Sequence, residues 1–121
     1  MTEAEMRAIV LSFPGVEEGA SYRQPAFLVK GKFLTRLRKD DASLVLMEVG
    51  FDEREMLMEA EPETFHVTAH YKDYPAVLAR IASLHPGSLR GFIERRWRKL
   101  APRSVVKAYD AGSGCPVNEA D

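Results

Sequence analysis

The stretch AFLVKGKFLTRL, residues 26–37, decides the fold together with SLVLMEV, residues 43–49. Both segments are rich in the β-branched, aliphatic and aromatic side chains that are typical of strands. KGK at 30–32 interrupts the first segment, and RKDD at 38–41 separates it from the second. Glycine readily adopts the positive φ that tight hairpin turns require. The two segments therefore predict three consecutive antiparallel strands joined by two turns.

Helices are predicted before and after these strands. Thr2 and Glu5 have the spacing of a capping box, which begins a first helix that FPG at 13–15 ends. A short acidic helix is predicted over 53–60. A last helix, over 89–100, carries its apolar residues at helical spacing and stops before a proline.

Two further strands are predicted within TFHVT, residues 64–68, and AVLARIAS, residues 76–83. The order is then α-β-β-β-α-β-β-α, which favours an α+β fold of two layers. We expect an antiparallel sheet of about five strands with the helices on one side. One domain is predicted over 1–109, and a disordered tail over 110–121, where core residues are few.

The composition is that of an ordinary soluble domain. The chain has 121 residues, 45% apolar and 29% charged. No apolar run approaches the roughly 18 residues that a membrane span needs, and the acidic N-terminus lacks the order of a secretory signal. Cys115 is the single cysteine, which excludes an internal disulfide framework. We therefore expect a cytoplasmic protein, monomeric and without a cofactor.

The net charge of −1 hides an uneven distribution. Residues 22–46 carry six bases and two acids, a balance of +4, and residues 80–109 carry eight bases and one acid, a balance of +7. Residues 47–64 carry seven acids and one base, a balance of −6. Two basic blocks of this kind attract an anionic partner if they share a face of the folded chain.

Four motifs run in register along the chain: FPGVEE (13–18), PAFLVKGKFLTRL (25–37), AEPETFHVTAHYKDYPAVLARI (60–81) and IERRWRKLAPRSV (93–105). With these motifs the chain resembles the MmcQ/YjbR-like family. The resemblance implies a compact α+β fold similar to secretion-chaperone-like and frataxin-like arrangements, and DNA binding through hairpins in a "double wing". It supplies no catalytic residues. The chain reads YPAV at 74–77, near where the family often has a tryptophan.

Nucleic-acid binding through phosphates is the leading functional hypothesis, because clustered cations release counterions from the nucleic-acid backbone. The candidate residues in the hairpin and the last helix are Lys30, Lys32, Arg36, Arg38, Lys39, Arg95, Arg98, Lys99 and Arg103. A structural alternative stays open: lysines protect sheet edges, and the arginines pair with the acidic helix. The hypothesis gains weight if the hairpin and the last helix share one surface. No motif for reading base sequence is present.

The segment FHVTAHYKDYPAV, residues 65–77, contains a second candidate site for stacking or for holding a small ligand. Its residues are His66, His70, Tyr71, Lys72 and Tyr74. On an extended strand the two histidine α-carbons lie roughly 13 Å apart at about 3.3 Å per residue, too far for a shared metal. The bland alternative is a strand and turn whose tyrosines cover the sheet edge.

Enzymatic activity is not expected, because no activated nucleophile of the GxSxG kind is present and no metal site is predicted. Glu17 and Glu18 are expected in a solvated loop. The alternative function is a chaperone-like module that binds a protein or a small molecule, by analogy of fold. It predicts an apolar concave patch on the open sheet face, lined by Phe27, Leu34 and Tyr74.

Overall fold

The structure, a computed structural model, describes residues 1–21 and 24–113. The helices in this part of the chain are α1 (Glu3–Leu11), α2 (Phe51–Ala60), α3 (Pro86–Leu100) and α4 (Arg103–Ser113). The strands are β1 (Val16–Ser21), β2 (Gln24–Val29), β3 (Lys32–Arg38), β4 (Ser43–Met47), β5 (Phe65–His66) and β6 (Ala76–Arg80). No helix within these ranges is long and apolar enough to cross a membrane.

The strands form one antiparallel sheet in the order β1-β2-β3-β4-β6-β5. The predicted α+β class is confirmed, and so is the tight hairpin between β2 and β3. Lys30 and Gly31 are the two central residues of its turn and have φ of 53° and 77°. Positive φ at both positions gives the turn whose twist matches that of paired strands.

The strand β1 is a correction to the sequence analysis, which placed Glu17 and Glu18 in a solvated loop. Both glutamates are exposed, but they pair with Leu28 and Phe27 of β2. The exposed residues Glu17, Glu18 and Gly19 lack the alternating apolar pattern by which strands are recognised in a sequence. The residue types of β1 therefore do not reveal that its backbone pairs with β2.

The end of the chain also departs from prediction. Pro102 does follow the end of α3, but a fourth helix begins at Arg103. Val105, Val106 and Tyr109 of this helix pack against the core. The predicted tail starts inside α4, which continues to Ser113. The prediction of disorder beyond Ser113 falls outside the described residues.

The hydrophobic core lies between the sheet and helices α1 and α3. Leu44 and Leu46 of β4 belong to it, as do Val77 and Ala79 of β6. Because side chains alternate along a strand, these residues define one side of the sheet, the helix face. Trp97 of α3 is fully buried there.

A shift in register interrupts the alternation of side chains along β3. The pairing of β2 with β3 slips at Phe27/Leu28, and this irregularity brings Leu34 into the core beside Thr35 and Leu37. Strict alternation along β3 predicts Leu34 on the opposite side from Leu37. A bulge inserts one residue and reverses the alternation beyond it.

The segment 67–75 covers the other side of the sheet, the loop face. Val45 and Leu78 are opposite each other on β4 and β6, belong to this side and have no exposed surface. Arg36 of β3 donates from Nη2 to the Tyr71 hydroxyl oxygen at 3.1 Å. A contact between β3 and this segment requires the segment to pass over β6 and β4, which lie between β5 and β3.

Candidate functional site

The arginines of β3 and the predicted cations of α3 lie on opposite sides of the sheet. Arg36 and Arg38 flank Leu37, which points into the core, so alternation places both arginines on the loop face. Helix α3, with Arg95, Arg98 and Lys99, packs on the helix face of β3 and β4. The predicted nucleic-acid site is therefore not one continuous surface.

Each of the three predicted α3 cations forms ion pairs. Arg95 binds Glu53 of α2 at 2.9 Å, as the structural alternative expects. Lys99 binds Glu48 at 2.9 Å. Arg98 pairs with Glu94 at 2.8 Å and with Asp110 at 2.6 Å. A phosphate at any of these cations has to compete with a carboxylate that is already in place.

Glu48 is the centre of the α3 contacts with the sheet. It follows β4 and also accepts from Arg96 at 2.5 Å. Hydrogen bonds from Lys99 and then from Arg96 lower the pKa of the Glu48 carboxyl, against the opposing effect of burial. Arg96 in addition donates to the Phe33 carbonyl oxygen of β3 at 3.0 Å. These ion pairs and hydrogen bonds connect α3 to β3 and to the end of β4.

The tip of the β2–β3 hairpin lies beside the start of α4. Lys30 and Lys32 are exposed there, and Lys30 lines a groove together with Pro102 and Val105. Arg103 is exposed and comes directly after Pro102. Lys30, Lys32 and Arg103 therefore belong to one end of the molecule. Lys32 and Arg38 are at opposite ends of β3, about 20 Å apart at about 3.3 Å per residue.

Three predicted cations do converge on the loop face. Arg36, Arg38 and Lys39 line a shallow cavity of about 430 Å³ with Pro25 and Asp40, here named the basic depression. Arg38 also contacts Asp40 at 3.8 Å and Asp41 at 3.5 Å. The described residues that line the depression thus include three cations and one acid, and Asp41 contacts Arg38 from beside it.

His66 lies beside the basic depression and not in the turn with His70. Its Nε2 contacts Ser43 Oγ at 2.9 Å and Asp41 Oδ2 at 3.4 Å. Burial, then Arg80, and to a smaller extent Arg38, hold the pKa of the imidazole below its ordinary value, while Asp41 acts in the opposite direction. This shift favours the neutral form of His66.

The group Ser43, His66 and Asp41 differs from a hydrolytic triad. In such a triad the nucleophile and the carboxylate bind different ring nitrogens of the histidine, which lets a proton pass between them. Here both contact the same Nε2, and Ser43 is fully buried. The arrangement fixes the start of β4 against β5. No group of three or more potential metal ligands occurs in residues 1–21 and 24–113.

The remaining residues of the second predicted site form an exposed cluster, here named the aromatic turn (residues 70–74). The His70 ring centroid lies 4.6 Å from that of Tyr71 and 6.2 Å from that of Tyr74. The Tyr71 and Tyr74 centroids are also 6.2 Å apart. Tyr74 is 52% exposed, and His70 and Lys72 are exposed as well.

Arg54 of α2 holds the aromatic turn and was missed by the sequence analysis. Its guanidinium donates to four carbonyl oxygens in or next to the turn, those of Tyr71 (3.3 Å), Lys72 (2.8 Å), Tyr74 (3.1 Å) and Ala76 (3.2 Å). One signal was available: Arg54 is the single base among seven acids in residues 47–64.

Comparison with known proteins identifies the family. The YjbR family model matches residues 11–99. The chain belongs to the YjbR family. This agrees with the resemblance found in the four sequence motifs, and the matched region extends from the end of α1 to the end of α3.

Curated relatives of this YjbR protein occur in mycobacteria. The chain is 38% identical over 58 residues to uncharacterized protein Mb2600 of Mycobacterium bovis and, to the same degree, to uncharacterized proteins MT2646 and Rv2570 of Mycobacterium tuberculosis. The aligned part covers 48% of this chain and 45% of each relative. The match thus spans about half the length of these relatives. No solved structure matches the chain significantly.

Proposed function

We propose that this YjbR-family protein binds nucleic acid through its phosphates, at the basic depression on the loop face. The observation that carries the proposal is the convergence of Arg36, Arg38 and Lys39 on one concave surface. Two guanidinium groups and one ammonium group match what phosphate recognition uses, since arginine binds phosphate oxygens in bidentate fashion.

The geometry favours this surface over the cations of α3. Arg95, Arg98 and Lys99 bind carboxylates, as Arg38 does in the depression, so ion pairing does not distinguish the two surfaces. The depression is favoured because Arg36, Arg38 and Lys39 line one concave surface. At the hairpin tip, Lys30 and Lys32 are exposed and reach a long backbone as secondary contacts. Such binding is insensitive to base sequence, because contacts to phosphates carry no sequence information.

We further propose that the protein acts as a monomer in the cytoplasm, uses no metal or cofactor and catalyses no reaction. Light scattering coupled to size-exclusion chromatography tests the first point directly. A mass of twice 13.6 kDa contradicts the monomer.

The test is a titration of labelled duplex DNA by fluorescence anisotropy at several salt concentrations. The variant Arg36→Gln/Lys39→Gln neutralises two cations of the depression and keeps a polar side chain at each position. We expect an affinity loss of at least about tenfold, and a plot of log K against log salt that is shallower by about 2. The matched control, Arg90→Gln/Lys107→Gln, removes two exposed bases from α3 and α4. Equal losses in both variants contradict a specific site.

Binding of an apolar small molecule or peptide is the second candidate function, and a groove at the hairpin tip favours it. Its walls include Pro14, Leu28 and Val105. The apolar patch predicted from the sequence is wrong, because Phe27 and Leu34 are buried in the core. Enhanced fluorescence of a hydrophobic dye that Val105→Glu abolishes supports this groove, and unchanged fluorescence contradicts it.

A further inference from the structure

The aromatic turn exposes ring surface to solvent. Tyr74 is 52% exposed and His70 is exposed, whereas Tyr71 packs more deeply and accepts from Arg36. Phe51 of α2, 50% exposed, adds a fourth ring nearby, since the guanidinium of Arg54 lies 4.8 Å from its centroid while it also binds the turn. Exposed rings grouped in this way mark a surface that binds a partner.

The turn is held in position by its backbone. Besides the contacts from Arg54 to four carbonyl oxygens, the Tyr74 amide donates to the Tyr71 carbonyl at 3.0 Å, and the Val49 amide donates to the Pro75 carbonyl at 3.0 Å. A partner that stacks on these rings therefore finds them already ordered, and little conformational entropy is lost on binding.

The rings adjoin the basic depression. Arg36 lines the depression and also binds the Tyr71 hydroxyl at 3.1 Å. The Tyr71 ring lies 4.6 Å from His70. The Tyr71 side chain thus connects the basic depression to the His70 ring, so that one short nucleic-acid segment can contact both features.

Only an unpaired nucleic-acid strand can use both features together. In a duplex the faces of the bases stack on one another and just their edges are open, whereas a single strand offers free base faces to aromatic side chains. Cations that follow the backbone beside rings that stack the bases are the combination found in proteins that bind single strands.

We propose that the aromatic turn, positioned by Arg54, is a base-stacking platform that makes this protein prefer single-stranded over duplex nucleic acid. The inference rests on the proposed function, because it takes the basic depression as the phosphate site. It adds the strand preference and assigns the stacking to His70 and Tyr74. Tyr71 keeps its bond with Arg36.

The experiment compares three labelled probes by fluorescence anisotropy: a thymidine 12-mer, a uridine 12-mer and a 12-base-pair DNA duplex, all at low salt. The wild type should bind both single strands at least about tenfold more tightly than the duplex. His70→Ala/Tyr74→Ala should lose about tenfold in affinity for the single strands and leave duplex binding unchanged. Tyr74→Phe should retain binding because it keeps the ring. Met56→Ala, which removes a side chain that is 67% exposed on α2, is the matched control.

The outcomes separate the two proposals. Duplex and single strands bound equally, or single-strand binding that survives the double alanine change, overturns the platform and leaves phosphate binding in place. No binding of any probe overturns both, and the rings then belong to a protein interface. Urea unfolding of each variant shows that it is folded, which is expected because both replaced side chains are exposed.

Discussion

Replacement of Arg54 by methionine should loosen the aromatic turn and lower the stability of the protein. Arg54 is half-buried, and its guanidinium faces four carbonyl oxygens of residues 71, 72, 74 and 76. Three of these contacts share Nη1, which has two hydrogens, so about three good bonds exist at a time. Each contributes about 0.5–1.5 kcal/mol net, and the released carbonyls partly regain water. We expect a loss of about 2 kcal/mol in the free energy of unfolding, or about 8 °C in Tm for a domain of this size.

The assay is urea unfolding followed by Trp97 fluorescence and circular dichroism, with hydrogen exchange of the turn amides. The midpoint should fall with the slope m unchanged, because the surface exposed on unfolding stays the same. In the variant, the amides of residues 71–76 should exchange faster than they do in the wild type, and those of β4 should change less. Arg90→Met, an equivalent change at an exposed base of α3, is the control. A loss below about 0.5 kcal/mol, the level of an ordinary surface change, with no faster exchange refutes the reasoning.

The remaining predictions concern the core and the neutral histidine. Leu34→Ala should lower the free energy of unfolding by about 2–4 kcal/mol because it leaves a cavity in the core. Phe33→Ala, at a half-buried position, should lower it less. Equal losses in urea unfolding contradict the bulge. The folded-state pKa of His66 lies below its ordinary 6.5, so the unfolded chain takes up a proton first as the pH falls. Stability should be full above pH 6.5 and decline below it, and His66→Gln should flatten this slope in urea titrations at successive pH values. If stability depends on pH equally in His66→Gln and in the wild type, His66 is not the group responsible.

Much of the fold could be predicted because its signals are local. The capping box at Thr2 and Glu5 forms as expected, and glycine in the KGK turn allows the tight β2–β3 hairpin. Pro102 is a harder case, since proline both ends one helix and is common at the beginning of the next. Val105 and Tyr109, at helical spacing, were the available sign of α4.

The site depends on contacts that the sequence does not encode locally. Arg95 and Glu53 are 42 residues apart, and their pairing depends on how α2 and α3 pack around the sheet. Arg54 binds backbone carbonyls, which every residue has, so no residue type reveals the partner. Likewise the side of the sheet reached by Leu34 is set by the bulge in β3. Candidate cations could thus be named from the sequence, but not the surface that they share.

Binding of labelled DNA to a matched pair of variants distinguishes the basic depression from the α3 cations as the phosphate site. Arg36→Gln/Lys39→Gln removes charge from the basic depression, and Arg95→Gln/Arg98→Gln removes the same charge from α3. We expect salt-dependent binding whose affinity falls at least about tenfold in the first variant and less than about threefold in the second. A larger loss in the α3 variant, or no binding by the wild type at low salt, contradicts this expectation.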